Sequence, residues 1–117
     1  MTSLHNLTPH PLVITTPHGT VELAPHPDPP RVQEEHLPQD AIHHAGIDVP
    51  VVSIRTGTVT GLPQPVEGRW YVVARVVALA APQRDDLLVP QGFLRDTDGN
   101  VTACTFLARL DNTPPSN

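Results

Sequence analysis

The sequence predicts an α+β fold: a mostly antiparallel sheet, curling toward a barrel, with one short helix over residues 74–81. Three observations predict it. Residues 70–90, WYVVARVVALAAPQRDDLLVP, hold the longest apolar run, and the apolar period changes inside it from that of a covered strand to that of a helix. The composition is turn-rich, with 15 prolines among 117 residues, 38% apolar residues and only 3% aromatics, which describes short strands around a thin core. Short alternating segments broken at glycine, over residues 12–23 and 93–107, read as hairpins.

Residues 1–5 carry no pattern and read as a flexible N-terminus ahead of a single domain spanning 6–110. In Asn6-Leu7-Thr8-Pro9-His10-Pro11 two prolines fix φ and push their predecessors away from helix, so the segment is extended or turning. Leu12, Ile14 and Thr16 alternate with Val13 and Thr15, and residues 20–23 return after Pro17-His18-Gly19 as the second strand of a hairpin. Residues 24–50 are rich in proline and histidine and read as a long loop, ordered as a flap or as an arm toward a neighbouring subunit, with a short strand over 31–36. Residues 49–55 and 58–61 are the next strand pair, turning at Thr56-Gly57.

Tyr71, Val72 and Val73 make a doubly covered strand, after which Val73, Val76, Val77 and Ala80 fall on one helical face until Pro82 ends the helix. Leu87-Leu88-Val89 is a second buried strand, and a connection of about a dozen residues is long enough for a parallel crossover. The competing arrangement is one continuous strand through the valines, since β-branched residues are mediocre helix formers. Residues 93–95 and 101–107 flank Asp96-Thr97-Asp98-Gly99-Asn100 as a last hairpin, and residues 111–117 read as a disordered tail.

The NLTPHP opening, Gly57, Val59, Gly61, Leu62, Pro63, Pro65 and Gly68 in a G-x-V-x-G-L-P-x-P-x-x-G segment, and Arg84 to Pro90 as R-D-D-L-x-V-P resemble a family of small bacterial and phage proteins. The likeness runs over about residues 6–107. It implies a shared fold and a bacterial or phage setting, and it carries no catalytic residue with it.

The inventory of reactive groups excludes more than it nominates. All seven basic residues are arginine, so lysine Schiff-base chemistry and a phosphate loop ending in G-K-[ST] are ruled out. A net charge of −5 without an arginine cluster disfavours binding to nucleic acid. A single cysteine, Cys104, leaves no internal disulfide and no thiolate-rich zinc site, and it reads as a small core residue rather than a nucleophile beside His10. No serine sits in a G-x-S-x-G elbow. The seven histidines show no i, i+4 pair on a helix, and the 96–100 loop lacks the spacing and the later glutamate of a calcium loop, so neither metal nor other cofactor is expected. No apolar run is long enough to span a bilayer and no signal peptide is evident, which points to a cytoplasmic protein without membrane contact.

The nominated site is the corner Arg84-Asp85-Asp86, where a helix ends and a strand begins and where Arg84 would also complement the helix C-terminus. Its structural reading is a turn with an ion pair. Its functional reading joins Arg84 to Arg55, Arg95, His10 and Asn6 around a small anionic ligand, nucleotide-like, with Asp85 and Asp86 accepting from ribose hydroxyls and Trp70 or Tyr71 stacking on a base. Three functions follow as expectations: a non-enzymatic ligand-binding protein that sequesters a nucleotide-type signal in phage–host defence; a homo-oligomeric interaction module using residues 24–50; and a hydrolase with His10 and Asp85 or Asp86 as general base.

Overall fold

Two adjoining valines, Val72 and Val73, are completely buried and mark where extended backbone gives way to helix. The computed structural model describes residues 2–111. In chain order its elements are β1 (Ser3–Asn6), β2 (Leu12–Thr16), β3 (Gly19–Leu23), β4 (Arg31–His44), β5 (Ile47–Thr60), β6 (Arg69–Val72), α1 (Arg75–Ala80), β7 (Leu87–Gln91), β8 (Leu94–Arg95), β9 (Val101–Ala103) and β10 (Phe106–Ala108). The parallel crossover forms: Tyr71 lies opposite Leu87 and Val72 opposite Leu88, with α1 in the connection. This removes the continuous-strand alternative.

Helix α1 is one residue shorter at each end than expected, and no side chain caps its ends; a backbone bond from the Ala81 amide to the Ala78 carbonyl closes its last turn. Ala74 provides no side-chain cap, the first turn has no acidic residue and the last turn no basic one. Six residues cannot sustain a helix alone, so its stability comes from burying Val77 and Ala78 against Tyr71, Val73, Leu87 and Val89. Just past the helix, the Arg84 amide donates to the Ala81 carbonyl and its guanidinium is engaged by Asp86.

The central sheet has the order β1-β6-β7-β10. It is mixed rather than antiparallel throughout: β1 and β6 are parallel, β6 and β7 are parallel, and β7 and β10 antiparallel. The other ribbons, β2-β3, β4-β5 and β8-β9, are antiparallel hairpins. The sheet stays open at β1 and β10, so no barrel closes among the described residues. Strand alternation sorts the core onto two faces. Tyr71, Val73, Leu87 and Val89 meet α1 and Leu7. Val72 meets Leu12, Ile14 and Cys104 on the opposite side, where Cys104 bridges to β2 through backbone bonds to Val13 and Thr15.

Two expectations about chain order are corrected. Residues 3–6 are not a loose end: β1 pairs from Ser3–Arg69 to Asn6–Val72, a partner more than sixty positions away that no local pattern reveals. The segment expected as one strand over 101–107 breaks at Cys104-Thr105, so that β9 closes the hairpin with β8 while β10 joins the central sheet. The expected tail lies outside the described residues except for Asp111.

The largest correction concerns residues 24–50. Instead of a long loop followed by a separate strand pair, residues 31–60 form one hairpin of two 14-residue strands, β4 and β5. Thr56-Gly57 is not a turn but lies within β5, beside a register shift between Val32 and Glu34. The turn is at the tip, where Ala45 (φ 52°) and Gly46 (φ 80°) connect the paired residues His44 and Ile47. Two positive φ values in a two-residue loop are the type I′ geometry, whose twist matches the flanking strands. Alanine is held there against its preference, so Ala45→Asn is expected to stabilise the tip by about 0.5–1 kcal/mol. Slower amide exchange at Ile47 would check this.

Among the described residues, only the base of this hairpin touches the body: Val32 and Val59 pack on the core cluster, whereas nearly every residue beyond them is exposed. Its effect on shape is large. The radius of gyration is 18.1 Å, against about 13 Å for a compact chain of this length, and the long axis is 58 Å. The hairpin is an arm.

Candidate functional site

The Arg84 corner is built by the strand that follows it. Leu87 and Val89 must enter the core, which draws the preceding Asp86 to 9% exposure, while its carbonyl accepts from the Tyr71 amide. A carboxylate placed there needs a partner. Arg84 provides one in bidentate form: Nε donates to Oδ1 and Nη2 to Oδ2, both at 2.8 Å. These hydrogen bonds hold the Asp86 carboxyl below its ordinary range, outweighing the burial that acts the other way, and they raise Arg84 in turn. Asp85 is exposed. The pocket that Arg84 and Asp85 line together with Gln83 and Arg109 is about 130 Å³, well below the roughly 300–1,000 Å³ of ordinary small-molecule sites.

The other nominated residues are distributed elsewhere. Asn6 sits at the end of β1 with its amide fully committed: Nδ2 donates to the His10 carbonyl at 2.9 Å and the Ala24 carbonyl at 3.0 Å, and Oδ1 accepts from the Thr8 amide and hydroxyl at 3.0 and 2.7 Å. That uses both donors and both acceptor positions. Adjacent strand residues face opposite sides, so Trp70 and Tyr71 do not converge on one base. Tyr71 is buried in the core near the His5 ring, while Trp70 lines a separate cavity of about 540 Å³ with Arg109 6.0 Å from its ring centroid. Arg55 is out on the arm, 3.7 Å from Glu35 and well exposed. Arg95 donates to the Gly99 carbonyl in the β8-β9 turn, where the Asp96 carboxylate accepts from the amides of Asp98 and Asn100. That arrangement is a side-chain-capped hairpin turn.

His10 lines a cleft of about 870 Å³ between the 8–13 segment, the start of α1 and the β8-β9 hairpin. Its walls are mainly apolar, with Leu12, Val73, Phe93 and Val101 among them, together with His10 and Arg75, and among the described residues no carboxylate lines it. Cys104 lies in the same wall, but it is 2% exposed and burial pushes its thiol up, which opposes thiolate chemistry. No family model, curated protein or solved structure matches this chain.

The geometry separates what the sequence joins. Arg84 and Asp85 share one small pocket, His10 lines the large cleft, Trp70 a third cavity, and Arg55 and Arg95 sit on different hairpins. His10 and the Asp85 carboxylate therefore line different cavities, and Asp86 is engaged by Arg84. Among the described residues no three His, Cys, Asp or Glu side chains group as metal ligands, and no helix is long and apolar enough to cross a membrane. Sequence reasoning missed two features, the cleft and the strand pairing that makes the expected arm a hairpin over residues 31–60. Phe93 and Arg75 gave no local signal for the first, but the apolar alternation of residues 47–54 extended past the expected boundary and pointed to the second.

Proposed function

We propose that this chain is a non-enzymatic protein-interaction module that works through the β4-β5 arm. One observation carries the reading: among the described residues, a two-stranded ribbon unsupported beyond Val32 and Val59 exposes Ile42, Ile47 and Val49 on one face and Val52 and Ile54 on the other. A lone two-stranded hairpin is marginally stable in water, and contiguous exposed apolar side chains mark docking surfaces. A photo-crosslinking residue in place of Ile47 should give adducts with another chain, whereas the same residue at exposed Leu79 on α1 should not. Equal labelling from both positions, or none from Ile47, would remove the reading. The chain contains no lysine, so amine crosslinkers report only the N-terminus.

A second reading, binding of a small ligand including a nucleotide-type signal, is favoured only by the cleft. Its volume suits such a molecule, Phe93 offers a half-exposed ring, and Arg75 offers positive charge. Native mass spectrometry of freshly purified protein tests it; a clean apo mass without thermal shift across a nucleotide panel would set it aside.

A further inference from the structure

We infer that the cleft between residues 8–13, the start of α1 and the β8-β9 hairpin takes a small apolar monoanion, a hydrocarbon body ending in one carboxylate. This rests on the cleft being a ligand site and names the chemical class that it selects.

The walls select the body. Leu12, Val73 and Val89 are buried and form the floor, whereas Phe93 and Val101, 48% and 49% exposed, stand at the rim. A ligand that covers the two rim side chains removes from water apolar surface that the folded chain leaves wet. The lining hydroxyls add little polarity. Thr8 Oγ1 donates to Asn6 Oδ1 at 2.7 Å and Thr102 Oγ1 to the Leu94 carbonyl at 3.3 Å, so both are engaged within the protein.

Arg75 selects the charge. It is exposed, it lines the cleft, and among the described residues no acid pairs with it: the ion pairs there join Arg55 to Glu35, Arg84 to Asp86, and His36 and His43 to acids of the arm. Neighbouring concavities differ on this point. The one between α1 and the base of the arm holds Arg31 together with Glu34, and the Arg84 corner holds Asp85. Beside Trp70, the Arg109 guanidinium already lies 6.0 Å from a ring centroid. A guanidinium without an acid, set against hydrocarbon, suits a carboxylate that it can bind in bidentate form. His10 and Gln91 are further polar side chains of the lining, and each can donate a hydrogen bond to a carboxylate oxygen. A phosphate dianion would be only half neutralised by one arginine, and ribose hydroxyls would face apolar wall without partners. The net charge of −5 adds to the preference for one negative charge over several.

The test titrates octanoate and octan-1-ol, one hydrocarbon body with and without the charge, into the full chain while its methyl groups are observed by NMR. The Leu12 and Val101 methyls should shift, with a Kd for octanoate of roughly 1 mM, as suits about ten non-hydrogen atoms. Octan-1-ol should bind about tenfold more weakly. Arg75→Gln, at an exposed position, should bring octanoate down to the affinity of the alcohol, and Arg75→Lys should restore most of the difference. Phe93→Ala should weaken both ligands alike. Equal affinity of acid and alcohol for the unaltered chain, or octanoate binding undiminished in Arg75→Gln, overturns the carboxylate class and leaves the cleft as a site for neutral apolar molecules. Shifts confined to Leu88 and Leu107, beside Trp70, overturn the cleft as the site of the acid. A nucleotide that shifts the Leu12 and Val101 methyls where octanoate does not overturns the class and keeps the cleft as a ligand site. No shift of these methyls with octanoate, octan-1-ol or any nucleotide overturns both.

Discussion

Replacing Arg84 by Met is expected to destabilise the fold by about 3 kcal/mol, because it leaves the Asp86 carboxylate in place without its bidentate partner. The side chains of the pair are only 13% and 12% exposed, so solvent cannot substitute for the lost hydrogen bonds. For a domain of this size the loss corresponds to a fall in Tm of roughly 10–15 °C. The double variant Arg84→Met, Asp86→Leu should recover most of it, since exchanging both members of a buried pair for apolar groups is near neutral. A double variant as unstable as the single one would show that the methionine itself disturbs the corner.

The pH dependence gives the same prediction a second readout. Asp86 titrates below its ordinary value in the folded protein. Its contribution is therefore complete above the ordinary carboxylate pKa of about 4 and is lost as pH falls through the lower folded value. In Arg84→Met the sign reverses. The unpaired, buried carboxyl titrates above its ordinary value, so the penalty is largest at neutral pH and shrinks on acidification. The stability difference between parent and variant, measured by urea unfolding, should narrow from pH 7 to pH 4. A constant difference over that range would mean that Asp86 is not the source of the loss.

The legible parts of the fold were those fixed by local pattern. The continuous apolar run of Tyr71, Val72 and Val73, the shift to helical spacing and the Pro82 stop all act within one segment, and the crossover they describe is present. Glycine at a turn made the β2-β3 and β8-β9 hairpins readable in the same way. What stayed hidden depends on partners. The hairpin in the arm escaped because its turn is Ala45-Gly46, without the asparagine or aspartate that usually marks a type I′ loop, and because Pro38 and Pro50 argue against strand. A two-stranded ribbon has two outer edges, so a proline whose missing amide faces outward removes no ladder bond. At the nominated corner the Arg84–Asp86 ion pair was legible from spacing alone, but not its burial, which Leu87 and Val89 impose by entering the core. The convergence of Arg55, Arg95, His10 and Asn6 had no local warrant, and the chain distributes them over separate hairpins and loops.

Asn6→Asp is expected to be the most damaging single-atom-type change in the chain, lowering stability by about 3 kcal/mol or more. The side-chain amide is the only group that reaches the His10 carbonyl, the Ala24 carbonyl and the Thr8 amide at once, tying β1, the 7–11 segment and the exit of β3 to one another. Aspartate keeps the acceptor that serves Thr8 but turns two donors toward carbonyls into an acceptor facing them, at a residue only 8% exposed. Asn6→Ala removes the same bonds without the repulsion and should cost less, about 2 kcal/mol. The ordering, with aspartate worse than alanine at pH 7, separates a structural role from a ligand-binding one, in which alanine and aspartate would both abolish binding and leave Tm nearly unchanged. Thermal unfolding of the two variants at pH 7 and again near pH 4 decides it: protonation supplies the aspartate with one donor, so its Tm should move toward that of the alanine variant as the pH falls. Equal stability of both variants with the parent would leave the N-L-T-P-H-P segment held by something other than Asn6.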